Sequence, residues 1–524
     1  MLLPRLQQNC EKEQMSEFLC LKDNTHFVKG PVNAAIYDLQ TEGIQHVPKT
    51  LAGILEACIV KGMTVNASIE AILSGTNPAE KDRMRDLLIK HPLLSLSEVP
   101  HQYQPVRPLM DESLKMIWLE LTPKCNLKCL HCYAGAGPDA SSRNSLSTEK
   151  WKEIIQEAAE MGFSRTQFTG GEPLLYPELV NLINTTRKSG YELIEVYSNL
   201  TLLTDELARE FKSSGVSVAT SFYSHDRQTH NEITQNRLSY GRTVKSIKKI
   251  VSMGIPIRVG VILMEQNMSH AEKTKEFLKE LGVPEGKIGF DYVRCSGRGG
   301  NMPHGKDNFS PTRFRTNHQG QIVWNSCWTG KIAVKSDGSV SPCVFVREAV
   351  DTVKEKRLKD VVLDDRLKKY WGVALEEVEV CKDCEFRYGC FDCRANIMNY
   401  TGHLYARNPL CNYDPYTGIW EGISELRSDL KPAKKPAVQW EKLNNRAIIY
   451  DPSGGFSLLN STGLMVWELC DGKHSIEDIA EEFLSIYEAD PESIYTDVKR
   501  MIEEFTIGGF LEREMFALQS RNGM

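Results

Sequence analysis

Ile117-Trp118-Leu119-Glu120-Leu121 runs into Cys125, Cys129 and Cys132, so an apolar stretch ends on a C-x3-C-x2-C triplet. Three thiolates this close can hold three irons of a cubane cluster. No fourth cysteine stands nearby, which leaves one iron open for a substrate or cofactor. A zinc site is the other use of such thiols, but structural zinc wants four protein ligands and favours other spacings.

Helical and strand patterns alternate downstream. Thr148 to Gly162 places Trp151, Ile154, Ile155 and Ala158 at helical spacing and closes on glycine, and Thr166–Thr169 then reads as a strand. Pro177 opens the next helix and Leu193–Tyr197 is the next strand. The rhythm continues through helix Asp205–Ser213, strand Val216–Phe222, helix Thr243–Met253, strand Ile257–Met264, helix His270–Leu281 and strand Ile288–Val293. With the run before the triplet this makes about six β/α units, an α/β chain whose core is a partial (β/α)6, TIM-like barrel with ligands at the strand C-terminal ends.

The triplet resembles the cluster loop of the radical S-adenosylmethionine (SAM) enzymes, where it follows the first barrel strand. An aromatic residue usually precedes the last cysteine; here it is His131, followed by Tyr133. The resemblance implies a [4Fe–4S] cluster on Cys125, Cys129 and Cys132 whose open iron chelates SAM, one-electron cleavage to a 5′-deoxyadenosyl radical, and hydrogen removal from unactivated carbon. It also places Tyr133, Gly170, Gly171, Glu172, Ser198, Asn199, Ser221 and Asn236 around SAM. Within Gly170-Gly171-Glu172-Pro173 the glycines would let backbone approach a ligand, with Glu172 or nearby carbonyls facing the amino group. Leu200 stands in Ser198-Asn199-Leu200-Thr201 where the family often has glycine. Thr234-Gln235-Asn236-Arg237 replaces a commoner Arg-Gly stretch, so either Asn236 or Arg237 would partner Ser221.

A second cysteine system follows. Cys327 and Cys343 bracket Gly338, Cys381, Cys384, Cys390 and Cys393 form C-x2-C-x5-C-x2-C, and Cys411 comes last. Seven cysteines exceed one tetrahedral site, although the central four alone would suit a zinc ribbon. The block resembles the SPASM extension, which implies two auxiliary [4Fe–4S] clusters. Cys381, Cys384, Cys390 and Cys411 would ligate the outer one and Cys327, Cys343 and Cys393 the inner one, with Cys295 or a substrate thiolate as its fourth ligand.

Toward the C-terminus, Ala447–Tyr450, a turn over Pro452–Gly455 and Phe456–Leu459 read as a hairpin. Three amphipathic helices follow: Asn460 onward, Ser475 onward, and one carrying Val498, Met501, Ile502 and Phe505. A short sheet plus three helices is a small winged-helix pattern and resembles the PqqD-like element that binds the leader of a precursor peptide, by strand addition at an open sheet edge. Lys431–Ala437 reads as an exposed, stiff linker. His26–Val28, Ala34–Leu39 and Gln45–Pro48 read as a meander before a helix from Leu51 to Cys58, echoing the C-terminal pattern. The expected division is residues 1–105, an N-terminal domain able to dock peptide, 106–312, the radical SAM core, 313–432, SPASM, and 433–524, PqqD-like.

With 524 residues and 41% hydrophobic content, the chain can bury roughly two to four cores. A net charge of −6 argues against nucleic acid as a partner. No signal peptide or apolar run of membrane-spanning length is read, so no membrane partner is expected, and a cytoplasmic setting is, where the clustered members of its fifteen cysteines serve as metal ligands. Cys10, Cys20, Cys58 and Cys470 have no partner spacing. The resemblances imply a peptide maturase that installs a thioether, a carbon–carbon crosslink or a related modification, fed by a one-electron donor such as a flavodoxin or ferredoxin. Two other readings are a formylglycine-generating sulfatase maturase, whose catalytic Asp after the second SPASM cysteine is here Val344, and a non-catalytic scaffold.

Overall fold

The computed structural model describes residues 17–110, 113–302, 316, 321–323, 327–390, 392–420, 428–443, 445–451 and 456–512. The expected turn over Pro452–Gly455 and the boundary at 312/313 lie outside these residues, as does Cys10.

The N-terminal unit pairs β1 (Phe18–Leu21) with β5 (Leu94–Ser97). Between them lie a meander of β2 (Thr25–Lys29), β3 (Ala34–Asp38) and β4 (Gly43–Val47), then helices α1 (Lys49–Leu55), α2 (Val65–Ile72) and α3 (Pro78–Lys90). The helix expected to reach Cys58 does so by widening into a π turn over Glu56–Val60. Its meander lies on the SPASM region, where Tyr37 donates to Glu385 O at 2.8 Å and Asn33 to the Tyr413 hydroxyl at 3.2 Å.

The central sheet follows the expected rhythm. Its strands are β6 (Met116–Glu120), β7 (Arg165–Thr169), β8 (Leu193–Tyr197), β9 (Ser217–Phe222), β10 (Ile257–Leu263) and β11 (Ile288–Tyr292), parallel and in sequence order. Helices α4 (Thr148–Met161), α5 (Leu179–Lys188), α6 (Asp205–Ser213), α7 (Arg227–Thr234), α8 (Ser239–Ser252) and α9 (Ala271–Glu280) cover the outer face. Ser147 caps α4 by accepting from Lys150 N, and Gly162 ends it in the left-handed region at φ 104°. Trp151, Ile154, Ile155 and Ala158 are buried against the sheet, each large side chain contributing roughly 1.5–3 kcal/mol. Helix α5 begins at Leu179, two residues after the proline expected to open it. Helix α7 was not foreseen: only Ile233 and His230 give it an apolar side, and Asp226 caps it.

Alternation along the strands sorts the sheet faces. Ile117, Leu119, Phe168, Ile194, Val196, Val218 and Val261 join the core beneath the helices. Glu120, Gln167, Thr169, Glu195, Tyr197, Ser221 and Arg258 fall on the other face, the barrel lumen. There Arg258 forms a bidentate pair with Glu195 at 2.8 Å. Instead of β11 closing on β6, β12 (Lys331–Val334) takes the free side of β6 in parallel and extends the sheet through β13 (Ser339–Ser341) and β14 (Asp351–Thr352) to nine strands. The barrel is therefore partial, and the cysteine-rich extension is welded to its first strand. That extension continues through α10 (Leu358–Val362), α11 (Asp365–Trp371), α12 (Arg394–Thr401), β15 (Tyr413–Asp414) and β16 (Ile419–Trp420).

The C-terminal unit is a three-stranded sheet, β17 (Gln439–Leu443), β18 (Arg446–Tyr450) and β19 (Phe456–Leu459), followed by α13 (Ser461–Leu469), α14 (Ile476–Ile486) and α15 (Pro491–Ile507). β17 is absent from the sequence expectation because Gln439-Trp440-Glu441-Lys442 carries charge and amide where a strand signal needs apolar alternation. The exposed linker expected at Lys431–Ala437 is corrected: Pro432 is buried, Glu512 N donates to Ala433 O at 2.9 Å and Lys435 N to Phe510 O at 3.0 Å. Leu430 already packs on this core, so the boundary at 432/433 falls inside the unit. The N-terminal unit covers the outer face of this sheet: Arg83 pairs with Glu441 at 2.7 Å and lies over the Tyr450 ring.

Candidate cluster and cofactor site

The triplet sits on the loop leaving β6. Cys125 is buried, and Cys129 and Cys132 pack beside it with Leu127 and Ala136. Burial, reinforced at Cys125 by the charges of Glu172 and Cys132 and at Cys129 by those of Cys132 and Cys125, pushes the Cys125 thiol up to about 11 and the Cys129 thiol up to about 12. Cys125 and Cys129, so desolvated, would stay protonated on their own, so the triplet suits a cationic iron centre, which stabilises thiolate. Among the described residues, no three His, Cys, Asp or Glu side chains converge as tightly as a single metal ion requires.

Other loops fix this one. Gly171 N donates to Thr122 O at 2.6 Å and Glu172 N to Lys124 O at 2.8 Å, clamping the end of β7 to the cluster loop. A Cβ at Gly170 would collide with Thr122 O, and one at Gly171 with Lys124 O. These glycines thus serve close backbone approach to the cluster loop, where the sequence suggested approach to a ligand. Glu172 is likewise a strut and no exposed acceptor. It is fully buried, its Oε1 accepts from Leu174 N at 3.0 Å and Ser198 Oγ at 2.7 Å, and its Oε2 accepts from Asn199 N at 2.8 Å. Burial still raises its carboxyl to about 7 against those three bonds.

Asn199 passes the connection on, donating from Nδ2 to Asn126 Oδ1 at 3.0 Å and to Cys125 Sγ at 3.7 Å. The next residue, Leu200, adopts φ 61° and is completely buried. A leucine in the left-handed region costs roughly 1–2 kcal/mol. Leu200 N donates to Ser198 Oγ, and Ser246 Oγ to Leu200 O at 2.8 Å, so its neighbours hold the conformation glycine would adopt freely.

Tyr133 lies on the lumen side, its hydroxyl 3.4 Å from Thr169 Oγ1 and its ring edge-on to Phe345. Ser221 Oγ is 2.8 Å from the Tyr197 hydroxyl on the same wall. Asn236 follows the end of α7, its Oδ1 accepting from Leu238 N at 2.9 Å. His131, expected to offer its face to adenine, packs edge-on to Tyr223 and is lowered to about 4 by burial and then by Arg298.

Arg298 was missed by the sequence reading. Its Nε donates to Cys129 O at 2.8 Å, a terminal nitrogen to Ala136 O at 2.9 Å, and its backbone N to Cys132 O at 2.9 Å. Gly297, at φ 56°, admits this approach, since a Cβ there would strike Cys132 O and Tyr133 O. The Gly-rich Ser296–Gly300 stretch was the signal. Glu120 was also passed over, although it ends β6 in the lumen: Oε1 lacks a hydrogen-bond partner among the described residues, and burial raises its carboxyl to about 7.

Beyond the barrel the cysteines separate into two groups. After burial, the strongest influences on Cys327 are Cys393 and Cys343, and Cys393 also acts on Cys343. Cys411 acts on Cys381, Cys384 and Cys390, and Cys381 on the latter two. Trp328 Nε1 donates to Cys343 Sγ at 3.2 Å in the first group. The charged neighbour acting on Cys295 is Arg347, not a member of either group.

Comparison with known proteins gives three matches at these places. Residues 119–278 match the model of the Radical SAM superfamily, 327–385 that of the SPASM iron-sulfur cluster-binding domain, and 446–511 that of the coenzyme PQQ synthesis protein D (PqqD). The chain carries radical SAM, SPASM and PqqD domains. It is a radical SAM enzyme, using a [4Fe–4S] cluster with SAM in the barrel and auxiliary iron–sulfur clusters in the SPASM domain. Cys390, Cys393 and Cys411 lie beyond the matched part of that domain. Among curated relatives, an AdoMet-dependent heme synthase of Methanosarcina barkeri is 25% identical, over 58% of this chain and 98% of its own. The subtilosin biosynthesis protein AlbA of Bacillus subtilis is 24% identical, over 56% of this chain and 70% of its own. Of solved structures, Streptococcus suis SuiB bound to S-adenosylmethionine aligns at a TM-score of 0.46 with 16% identity, covering 75% of this chain and 99% of SuiB. No helix among the described residues is long and apolar enough to cross a membrane.

Proposed function

We propose that this enzyme matures a ribosomally made precursor peptide. The leader adds as a strand to an open edge of the C-terminal sheet, and the core peptide enters the barrel lumen and receives a thioether, a carbon–carbon crosslink or a related modification. One observation carries the reading: a PqqD domain, whose sheet order β17-β18-β19 leaves edge strands to pair with, is joined to a radical SAM barrel in one chain. Tethering the leader raises the concentration of core peptide at the barrel mouth. The relation to AlbA, a bacteriocin biosynthesis protein, agrees with this.

When bound, the cluster and SAM supply a 5′-deoxyadenosyl radical. The protein's part is to hold Cys125, Cys129 and Cys132 in place through Arg298, Gly171 and Asn199, and to offer SAM the surfaces around Tyr133, Gly170, Ser198, Ser221 and Asn236. Cys381, Cys384, Cys390 and Cys411 would hold the outer auxiliary cluster, and Cys327, Cys343 and Cys393 the inner one. The N-terminal unit, with its own meander and three helices, is a second surface able to dock peptide. The domain division at residues 105 and 312 and the one-electron donor belong to the same proposal. Reconstituted enzyme incubated anaerobically with SAM, reductant and the peptide encoded beside it yields a product lighter by about one hydrogen pair. An unchanged peptide mass while 5′-deoxyadenosine accumulates contradicts crosslinking.

A further inference from the structure

The acids of the lumen wall differ in how fully they are engaged. Glu195 is held by two nitrogens of Arg258 and by Gln167, Asp291 pairs with Arg294 at 2.5 Å, and Glu172 accepts three hydrogen bonds. Glu120 is different. It ends β6 opposite Thr169 of β7, is only 9% exposed, and keeps its Oε1 without a hydrogen-bond partner among the described residues. A buried acid with a spare oxygen in a cavity that must admit substrate is placed to take up a proton.

The groups around it suit that task. Burial is the largest influence and raises the Glu120 carboxyl to about 7, Lys335 and a hydrogen bond from the Tyr133 hydroxyl oppose it, and Asp337 adds to it. Such a carboxyl is matched to proton transfer near neutral pH. Val334 of β12 lies opposite Leu119 in a parallel register, so Lys335, the next residue, comes level with Glu120. Lys335 Nζ donates to Val346 O at 3.3 Å and Arg347 O at 3.2 Å, and Lys335 also acts on the exposed Asp337. Tyr133, in turn, feels Cys132 and Tyr197. It directly follows Cys132 of the triplet, and its ring meets that of Phe345, two residues past Cys343, at 5.1 Å. Glu120 therefore lies where the wall passes from the triplet loop to the SPASM domain.

We infer that Glu120 is the general base that accepts the proton released when the core peptide is crosslinked. The inference rests on the peptide-maturase reading above. A crosslink removes two hydrogens from the peptide. The first leaves its C–H bond as an atom, taken by the 5′-deoxyadenosyl radical. The second leaves as the new C–S or C–C bond forms and an S–H or C–H bond breaks: its proton goes to the Glu120 carboxylate, and the remaining electron reduces an auxiliary iron–sulfur cluster by one. From Glu120 the proton reaches solvent past Lys335 and Asp337.

The test uses the full-length reconstituted enzyme with SAM, reductant and the peptide encoded beside it, deuterated in its core. Glu120→Gln is expected to lower kcat for crosslinked product roughly 10²-fold or more with the peptide KM unchanged, while 5′-deoxyadenosine still forms and still carries deuterium. Glu120→Asp keeps the acid on a shorter arm and is expected to recover about a tenth of the parental rate. Product formation by the parent should rise as pH passes about 7, a limb that Glu120→Gln loses. Difference infrared spectra of the protein without SAM or peptide read the same group apart from activity. They should show a protonated carboxyl band that fades as pH rises through about 7 and is missing from Glu120→Gln, which separates it from Glu172 and Glu503, also raised to about 7. Parental product rates in Glu120→Gln, an effect on KM alone, loss of 5′-deoxyadenosine formation, or no such band each overturn the inference. A parent that forms 5′-deoxyadenosine and leaves the peptide mass unchanged overturns the crosslinking reading itself, and this inference with it, before any variant is compared.

Discussion

Glu120 gives the sharpest energetic prediction. Its carboxyl ends β6 inside the lumen, with Oε1 unpartnered among the described residues, and burial raises it from an ordinary 4.5 to about 7, opposed by Lys335 and the Tyr133 hydroxyl. Because the folded-state value lies above the unfolded one, the folded chain holds an extra proton between about pH 4.5 and 7. That stabilisation is present below the window and is lost as pH rises through 7. A displacement of this size corresponds to about 3 kcal/mol of penalty for the ionised group at pH 8. Glu120→Gln keeps the shape and removes the charge, so the variant should exceed the parent by roughly 2–3 kcal/mol at pH 8 and match it near about pH 4. Anaerobic urea titrations at the two pH values measure this. A difference that does not change with pH, or a variant less stable at pH 8, would refute a desolvated Glu120.

Two further outcomes follow from the same geometry. Cys393→Ala should remove the inner auxiliary cluster and spare the outer one, whereas Cys411→Ala should do the reverse, each losing about four irons per chain with a distinct electron paramagnetic resonance component; loss of both signals in either variant would mean the grouping is wrong. Leu200→Ala should cost roughly 3–5 kcal/mol by opening a cavity, but Leu200→Gly should cost no more than that, because relief of the φ 61° strain offsets the extra backbone entropy; a glycine variant clearly less stable than the alanine one in chemical denaturation would contradict a strained Leu200.

What the sequence disclosed followed the range of the interactions involved. The barrel strands and α4, α6 and α9 were legible because a periodic apolar face and nearby caps are local signals; Ser147 and Gly162 alone bound α4. The cysteine motifs were legible because thiol spacing mirrors cluster geometry. Helix α7 escaped because its few buried residues sit among polar ones. β17 escaped because an edge strand facing solvent and Arg83 needs charge, not alternation. Glu172 looked like a ligand contact because its three donors come from the Pro173 turn and from β8's loop, 26 residues away in the chain for Ser198. Arg298 clamps a loop more than 160 residues upstream, a distance at which sequence spacing carries no signal.

The account turns on three thiolates at the end of β6 gripping an iron–sulfur cubane whose free corner takes SAM. Electron paramagnetic resonance of the reduced enzyme, recorded before and after adding SAM, tests this most directly. A cubane signal that changes on adding SAM, and is missing from the barrel site of Cys129→Ala while the auxiliary signals persist, is the predicted result. A parent whose spectrum is indifferent to SAM, or whose triplet holds zinc, would contradict it.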